Sequence, residues 1–351
     1  SINLLNHVEE KTTHGKSGCF INYDKLKSTI HTAIRMLDNV IDINFYPTKE
    51  AANSNLKNRP VGLGVMAIHD VLHKLNINID SEESIKFNDE LFEFYSCQSI
   101  YASSILAKER GAYKTYEGSL WSQNIFPIDS YHNLMSYKGQ TPLGNSETIK
   151  CDWETSRQHV SEFGMRNSNV MAIAPTATIG YINGVEQSIE PNFSVLFVYE
   201  NKSGNFFITN QHFIDDMKNE GLWSPELAKL VKDVDGDLSL LNGDIPEWIK
   251  EKYKTAFDRD MFKLIECNAV RQKWLDQAIS FNLYNKSTSL KYLNDIYMDC
   301  WKSGLKTTYY LRNRAASKVE KSTSEESSPS SSQTACSIEA IKNGGECESC
   351  Q

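Results

Sequence analysis

Two cysteines stand three positions apart at the end of the chain, in the stretch GGECESCQ. They are Cys347 and Cys350, and the segment around them carries too few apolar residues to be held by a core. A mobile, exposed and closely spaced thiol pair suits dithiol–disulfide exchange. Half of a zinc site is the alternative, but such a site needs four ligands, and the tail offers only Cys336 and no histidine. The pattern therefore favours a redox role.

Adjacent phenols form a second candidate site, at Tyr309 and Tyr310 in the stretch LKTTYYLR. The β-branched and aromatic residues of this stretch predict a strand. In a regular strand the two side chains point to opposite faces, so that one is core and the other is surface. The alternative is that the adjacent phenols relay single electrons. The residues alone favour the strand interpretation without excluding the relay.

A third candidate lies in VMAIAPTATIGYINGVEQSIEPNF, where an apolar strand runs into Pro175. The next residues are predicted to form the first turn of a helix: Thr176, Ala177, Thr178 and Ile179. Proline is tolerated at such a start because its missing N–H is not needed there. The N–H groups of a first turn, with two hydroxyls, form a neutral cradle for an anion such as phosphate. From these residues alone an ordinary capped strand-to-helix turn is the simpler interpretation, and the GxxxxGK of a Walker loop is absent from the sequence.

Two histidines, His69 and His73, lie one turn apart on a helix predicted after NRPVGLGV. Such a pair can hold a metal, but the glutamate of an HExxH motif is missing. An ordinary helix face is the simpler interpretation. We therefore predict no metal site.

These candidate residues need elements to position them, and the apolar pattern predicts several. Spacings of three and four residues predict a helix from Tyr23 to Ile43 and a long amphipathic helix over 82–110, closed by Gly111. The run VMAIA is typical of a buried strand. FSVLFVYE and FFITN, separated by NKSGN, are typical of a hairpin. A helical region follows and ends in a helix near YLNDIYMDCWKSG.

The composition changes after about Ala316, where the sequence becomes rich in Ser, Glu and Gly. Such a segment cannot bury enough apolar surface to form a core, which predicts a flexible tail over 317–351 behind a folded domain of residues 1–316. A flexible chain of about 30 residues has a root-mean-square span of roughly 30 Å. Thiols at its end can therefore reach across a domain.

The overall charge excludes some classes of partner. A net charge of -8 and a pI near 5.6 argue against a general nucleic-acid or membrane-surface binder. The sequence contains no long apolar run and no pattern of a signal peptide, so we expect a soluble, cytoplasmic protein. Its eight cysteines are too dispersed for a disulfide scaffold. We expect most to be reduced, and four of them to be small core residues: Cys97, Cys151, Cys267 and Cys300.

Three of these features occur in the same order in one known family. The turn APTATI with its SIEP segment, then TTYY, then a tail ending in CxxC resemble the large catalytic chain of class I ribonucleotide reductases. VIDINFYP, NSNLKNRPVGLGV, GMRNSN and QKWLDQAISFNLY are similar to the same family, so the resemblance covers nearly the whole chain. It implies an α/β fold: the second half of a ten-stranded barrel of two five-stranded halves, with surrounding helices.

The resemblance also implies roles for the candidate residues. The turn from Pro175 to Ile179 would hold the diphosphate of a ribonucleoside diphosphate. Tyr309 and Tyr310 would be a stacked pair that passes a radical from the small (beta) subunit towards an active-site cysteine, their stacking overriding strand alternation. Cys347 and Cys350 would re-reduce the active-site disulfide and be reduced in turn by thioredoxin or glutaredoxin. No cofactor would bind this chain directly, because the radical comes from the metal cofactor of the small subunit.

The sequence departs from the family at its most reactive position. The radical cysteine of the family lies in an Asn-x-Cys-x-Glu loop, and this sequence contains none. SINLL resembles the segment that follows the family's CNLA, so we expect the C-terminal half of a split large subunit. An N-terminal partner chain would supply the thiyl cysteine, and Ser1 also permits an intein origin. The alternatives are a glycyl-radical enzyme, a cobalamin-dependent reductase, and an inactive remnant that binds nucleotides or modulates a host reductase.

Overall fold

The structure is a computed structural model, and it describes residues 1–13, 16–144, 151–201, 204–241, 243 and 245–313. The predicted tail over 317–351, with Cys347 and Cys350, lies outside the described residues. The domain boundary after residue 316 therefore stays a prediction.

Helices form most of the described structure and are joined by short strands. The helices are α1 (Tyr23–Ile43), α2 (Lys49–Asn58), α3 (Ile68–Leu75), α4 (Glu82–Arg110), α5 (Pro127–Lys138), α6 (Trp153–Phe163), α7 (Ala177–Asn183), α8 (Gln211–Asn219), α9 (Pro225–Asp233), α10 (Glu247–Lys252), α11 (Met261–Gln272) and α12 (Leu290–Lys302). The strands are β1 (Ile2–Asn3), β2 (Val8–Thr13), β3 (Lys16–Ile21), β4 (Val65–Met66), β5 (Leu196–Asn201), β6 (Gly204–Thr209), β7 (Leu283–Asn285) and β8 (Leu311–Asn313).

The two long predicted helices are confirmed as α1 and α4. The side chain of Asn22 accepts the N–H of Lys25 at the start of α1, and an apolar stripe along that helix is buried. Ser81 caps α4 in the same way, and Gly111 ends it with φ +85°, which a residue with a Cβ adopts only with strain. Local capping and periodicity were therefore enough to define both helices.

Five parallel chain segments form the centre of the fold. We call them barrel segments 1 to 5: residues 2–3, 61–66, 169–173, 277–285 and 309–313. Neighbouring segments pair in parallel along the whole series, at Ile2↔Val65, Leu63↔Met171, Ile173↔Ile279 and Leu283↔Leu311. Their order in the sheet is thus their order in the chain, and helices lie in each crossover, as parallel pairing requires. The predicted five-stranded barrel half with surrounding helices is confirmed.

Two antiparallel hairpins lie in the connections between the barrel segments. β2 pairs with β3 in the first crossover, and β5 pairs with β6 in the third. The second of these is the hairpin that the sequence predicted around NKSGN. The run VMAIA, predicted as a buried strand, is barrel segment 3, in which Val170, Met171 and Ile173 are buried.

Helix α4 is the central packing element of the described residues and contacts α1, α6 and α11. Its Asp89 accepts the indole N–H of Trp274 at 2.6 Å and pairs with Lys273 at 2.9 Å. The hydroxyl of Ser96 donates to the Trp274 carbonyl at 2.6 Å. These buried contacts hold the chain leading into barrel segment 4 against the middle of α4.

A buried carboxylate joins α1 to three other parts of the chain. Asp38 is fully buried and accepts from Arg59 at 2.8 Å, Arg110 at 3.0 Å and Arg166 at 3.3 Å. The amide of Asn167 donates to the same carboxylate at 3.2 Å. Buried charge is tolerated here because every oxygen of Asp38 is paired. Asp38 and the residues bound to it, which we call the Asp38 hub, hold the end of α4 and the GMRNSN loop beside α1.

The structure corrects the expectation for two cysteines. Cys97 of α4 and Cys151, just before α6, are both buried as predicted, but they form a disulfide rather than remaining reduced. The sequence places them 54 residues apart, so only the packing of α6 on α4 brings them together. Cys267 and Cys300 are buried free thiols, as predicted.

No helix among the described residues is long and apolar enough to cross a membrane.

Candidate active site

The phenol pair is in direct contact. The ring centroids of Tyr309 and Tyr310 lie 3.9 Å apart with planes at 43°, and the Tyr309 hydroxyl donates to the Tyr310 hydroxyl at 3.0 Å. This donation stabilises the neutral phenol and raises the pKa of Tyr309. Both side chains are part-exposed, at 43% and 42%, and the guanidinium of Arg312 lies 5.4 Å from the Tyr310 ring. The pair can therefore exchange a proton within itself while one side faces outward.

A bulge in the sheet explains why adjacent residues share one side. The N–H of Tyr309 donates to the Phe281 carbonyl at 2.8 Å, and the N–H of Leu283 donates to the Tyr310 carbonyl at 2.9 Å. Tyr309 and Tyr310 therefore both oppose Asn282, which is the two-against-one pairing of a β-bulge. The simple alternation expected from a strand is wrong at this position, and the regular strand begins only at Leu311.

The predicted phosphate turn follows barrel segment 3. Helix α7 begins at Ala177, one residue later than predicted, so Pro175 lies outside it. Thr176 precedes the helix in the left-handed region, with φ +48°, and its buried hydroxyl oxygen accepts the N–H of Ser188 at 2.8 Å. Ala177, Thr178 and Ile179 are exposed. The N–H groups of this first turn have no hydrogen-bond partner within the helix.

The SIEP segment connects this turn with the phenol pair. Glu190 is buried, its Oε1 accepts the N–H of Asn282 at 3.1 Å, and its Oε2 accepts the Tyr284 hydroxyl at 2.8 Å. Burial raises the pKa of Glu190 to about 7, and these two hydrogen bonds oppose the rise. Ser188 of the same segment contacts the turn at Thr176. The turn, the carboxylate and the segment beside the phenols thus form one connected structure.

Sequence reasoning assigned no role to Glu190 or Asn282. Both lie inside stretches that resembled the family, SIEP and QKWLDQAISFNLY. The one signal in the sequence was the polar Asn282 within the apolar run ISFNLY, because an amide buried in a strand must find hydrogen-bond partners.

A cluster of histidines and carboxylates lies beside the SIEP segment. The rings of His69 and His73 are buried with centroids 4.0 Å apart, and the N–H of Asn192 donates to His69 Nδ1 at 2.7 Å. Burial lowers the pKa of both rings well below the usual value, so both are neutral. Nearby, His212 Nε2 pairs with Asp70 at 3.0 Å. Across the described part of the chain, the structure contains no group of three or more His, Cys, Asp or Glu side chains suited to a metal ion.

A cavity of about 520 Å³ opens next to this cluster. Among the groups that line it are Asp70, Lys74, Glu186, His212 and Asp215. Its lining therefore mixes acidic and basic groups and carries no strong bias towards one charge.

Comparison with known proteins identifies the barrel segments as part of an oxidoreductase family. A model described as "Ribonucleotide reductase, barrel domain" matches residues 1–311, and the chain belongs to this family.

Several curated relatives match over most of this chain. The ribonucleoside-diphosphate reductase subunit alpha of Chlamydia pneumoniae is 47% identical over 322 residues, which are 92% of this chain and 30% of that protein. The corresponding subunit of Helicobacter pylori strain 26695 is 38% identical over 301 residues, 85% of this chain and 34% of that protein. The large subunit of Caenorhabditis elegans is 35% identical over 296 residues, which are 84% of this chain and 36% of that protein. The chain thus spans about a third of the length of these relatives.

Proposed function

We propose that this chain is part of a ribonucleoside-diphosphate reductase large subunit, which converts ribonucleoside diphosphates to deoxyribonucleoside diphosphates by radical chemistry. It contributes a diphosphate-binding turn, a tyrosine relay and a thiol shuttle tail. The observation that carries the proposal is the contacting phenol pair Tyr309–Tyr310 within the barrel of this family. A cytoplasmic location fits a shuttle that depends on thioredoxin or glutaredoxin, since these reductants work where thiols are kept reduced.

The turn from Pro175 to Ile179 binds the substrate diphosphate in this proposal. The first-turn N–H groups of α7 and the hydroxyl of Thr178 are donors, and a helix N-terminus favours negative charge. Thr176 positions the turn instead of binding the diphosphate. Its hydroxyl oxygen already accepts the N–H of Ser188, which holds the turn to the SIEP segment. Thr178→Ala should therefore raise KM for the diphosphate more than it lowers kcat.

Tyr309 and Tyr310 carry the radical one residue at a time. A phenol gives an electron and a proton to a neighbouring phenoxyl, so one O–H bond breaks as the other forms. The 3.0 Å separation of their hydroxyls suits this transfer. The small subunit supplies the initial radical from its metal cofactor.

Cys347 and Cys350 are proposed to shuttle two electrons. Their thiols reduce the active-site disulfide by exchange, become a disulfide themselves, and are reduced again by thioredoxin or glutaredoxin. Serine substitution of both should leave the product of a single pre-reduced turnover intact and abolish continuous turnover with thioredoxin. A small dithiol should restore turnover, because it bypasses the tail.

The cysteine that becomes the thiyl radical must lie on another polypeptide or segment, since these 351 residues contain no Asn-x-Cys-x-Glu motif. The test is to assay nucleoside diphosphate reduction with small subunit and reductant, with and without the N-terminal portion of a large subunit. We expect turnover only when that portion is present. Turnover by this chain alone would falsify the proposal that the thiyl cysteine lies outside these 351 residues.

The tyrosines give the matching test of the radical route. In the reconstituted enzyme, Tyr309→Phe and Tyr310→Phe should each lower kcat at least about a hundredfold, because removing the phenol breaks the transfer. Activity that survives both changes would point to a radical that does not come from the small subunit. Nucleotide binding without any reduction in the complete mixture would favour a regulatory remnant instead.

A further inference from the structure

The bulge at the phenol pair leaves one backbone donor outside the sheet ladder. Tyr309 donates to Phe281 and Leu283 donates to Tyr310, so the N–H of Tyr310 falls between the two ladder bonds. The side-chain oxygen of Asn282 accepts this N–H at 3.2 Å. An unpaired N–H would favour a return to regular pairing, in which the two rings face opposite sides. The side-chain oxygen of Asn282 accepts this N–H and so removes the cost of leaving it unpaired in the bulge.

Asn282 is itself held in place from behind. Only 7% of the residue is exposed, and its own N–H donates to Oε1 of the buried Glu190 at 3.1 Å. The other oxygen of Glu190 is occupied by the Tyr284 hydroxyl. Glu190 thus holds Asn282, and Asn282 in turn holds the backbone of Tyr310.

We propose that Asn282 is a positioning residue for the phenol pair: its amide holds Tyr310 in the bulge and thereby keeps the two hydroxyls within hydrogen-bond distance. The catalytic meaning of this role rests on the proposed radical function, whereas the structural role does not. Proton and electron transfer between phenols depends steeply on their separation. A small relaxation of the bulge is therefore enough to interrupt the relay without touching either ring.

The chain offers a matched control in the same segment. Asn285 is also 7% exposed, and its amide donates to the Ser287 carbonyl at 3.0 Å and to Asn313 Oδ1 at 2.9 Å. Asn285→Ala removes a buried amide from the same pair of barrel segments without removing a contact to the phenols. A merely structural contribution of Asn282 should resemble that of Asn285.

The experiment compares the full chain with its Asn282→Ala and Asn285→Ala variants. Tyrosine labelled with ¹³C at Cζ reports the pKa of Tyr309, and amide hydrogen exchange reports the N–H of Tyr310. In Asn282→Ala we expect Tyr310 to exchange at least about tenfold faster and the pKa of Tyr309 to fall towards that of a free phenol, since its hydrogen bond to Tyr310 is lost. Asn285→Ala should leave both readouts unchanged. Unchanged readouts in Asn282→Ala, or equal changes in the two variants, would overturn the proposal.

A measurement on the unmodified chain covers the case in which Asn282→Ala does not fold. The hydrogen bond predicts a scalar coupling between the amide nitrogen of Tyr310 and the side-chain carbonyl carbon of Asn282, and its absence would overturn the proposal. In the reconstituted reductase, Asn282→Ala should lower kcat at least about tenfold with KM for the diphosphate unchanged. Absence of reductase activity in the unmodified protein would refute the proposed function, while the spectroscopic readouts would still decide the role of Asn282.

Discussion

Glu186 is a partly buried acid that lies against a second acid. Its N–H donates to Asp70 at 2.7 Å, and its carboxyl group interacts with the charge of Asp70 and hydrogen-bonds with the side chain of Asn210. Burial, and then the charge of Asp70, raise the pKa of Glu186 to about 8. Lys74 and His212 line the same cavity, and His212 pairs with Asp70. Glu186 therefore keeps a proton at neutral pH that an exposed glutamate loses.

The raised pKa predicts how stability depends on pH. Between the ordinary value of 4.5 and about 8, the folded state holds a proton that the unfolded state has released, so stability falls as pH rises through this window. Glu186→Gln copies the protonated form. It should match the unmodified protein near pH 4.5 and exceed it increasingly up to pH 8, by about 1.4 kcal/mol for each unit of pKa shift. Urea unfolding across this range measures the difference.

The exposed Glu117 provides the control for this prediction. Glu117→Gln makes the same chemical change at an exposed position, so it measures the effect of losing a carboxylate that folding does not bury. A Glu186→Gln variant whose stability ran parallel to that of the unmodified protein would show that Glu186 ionises normally.

At the scale of the elements, Asp38 joins four parts of the chain, and its loss should be costly. Asp38→Asn would leave Arg59, Arg110 and Arg166 facing a neutral amide in a buried site. We expect a loss of about 3–5 kcal/mol in the free energy of unfolding, which is typical of breaking a buried ion pair. Denaturant unfolding measures it.

The neighbouring Asp42 separates burial from charge in this comparison. Asp42 binds the guanidinium of Arg59, which also binds Asp38, at 2.7 Å, but the side chain of Asp42 is 48% exposed. Asp42→Asn should therefore cost only about 0.2–1 kcal/mol, as for a surface ion pair. Equal losses from the two changes would mean that Asp38 does not act as a buried hub.

Gly64 shows how closely two barrel segments approach. A Cβ at this position would collide with the Ala172 carbonyl oxygen and lie 3.4 Å from Ile173 Cα. Gly64→Ala should therefore push barrel segments 2 and 3 apart and cost about 1–3 kcal/mol. At Gly18, on β3, a Cβ would meet no atom within 4 Å, so Gly18→Ala should be neutral or slightly stabilising. Thermal unfolding of the two variants compares them, and similar melting temperatures would contradict the close packing.

At the scale of the whole molecule, the barrel half has two sheet edges. Within the described residues, β1 pairs only with β4 and β8 pairs only with β7. Unpaired edges of this kind bind further strands. If the proposed N-terminal portion completes the barrel, adding it should slow amide exchange in peptides covering residues 1–6 and 309–313. A peptide from the interior of α4 should not change, and unchanged exchange at both edges would contradict barrel completion by that portion.

The sequence by itself determined the features that depend on local chemistry. Periodicity and capping defined α1 and α4, because a helix closes its hydrogen bonds within one segment. The apolar run and the turn residues likewise located barrel segment 3 and the β5–β6 hairpin. The resemblance to the family, carried by short motifs in a fixed order, gave the barrel half.

Only the tertiary structure decided the contacts between distant segments. Strand alternation put Tyr309 and Tyr310 on opposite faces, but the register against barrel segment 4 makes a bulge that brings them together. The disulfide between Cys97 and Cys151 depends in the same way on helix packing. Glu190 gained its raised pKa and its place beside Asn282 from burial against another part of the chain. Register, burial and pairing across long separations are set by the free energy of the assembled core, which no local pattern records.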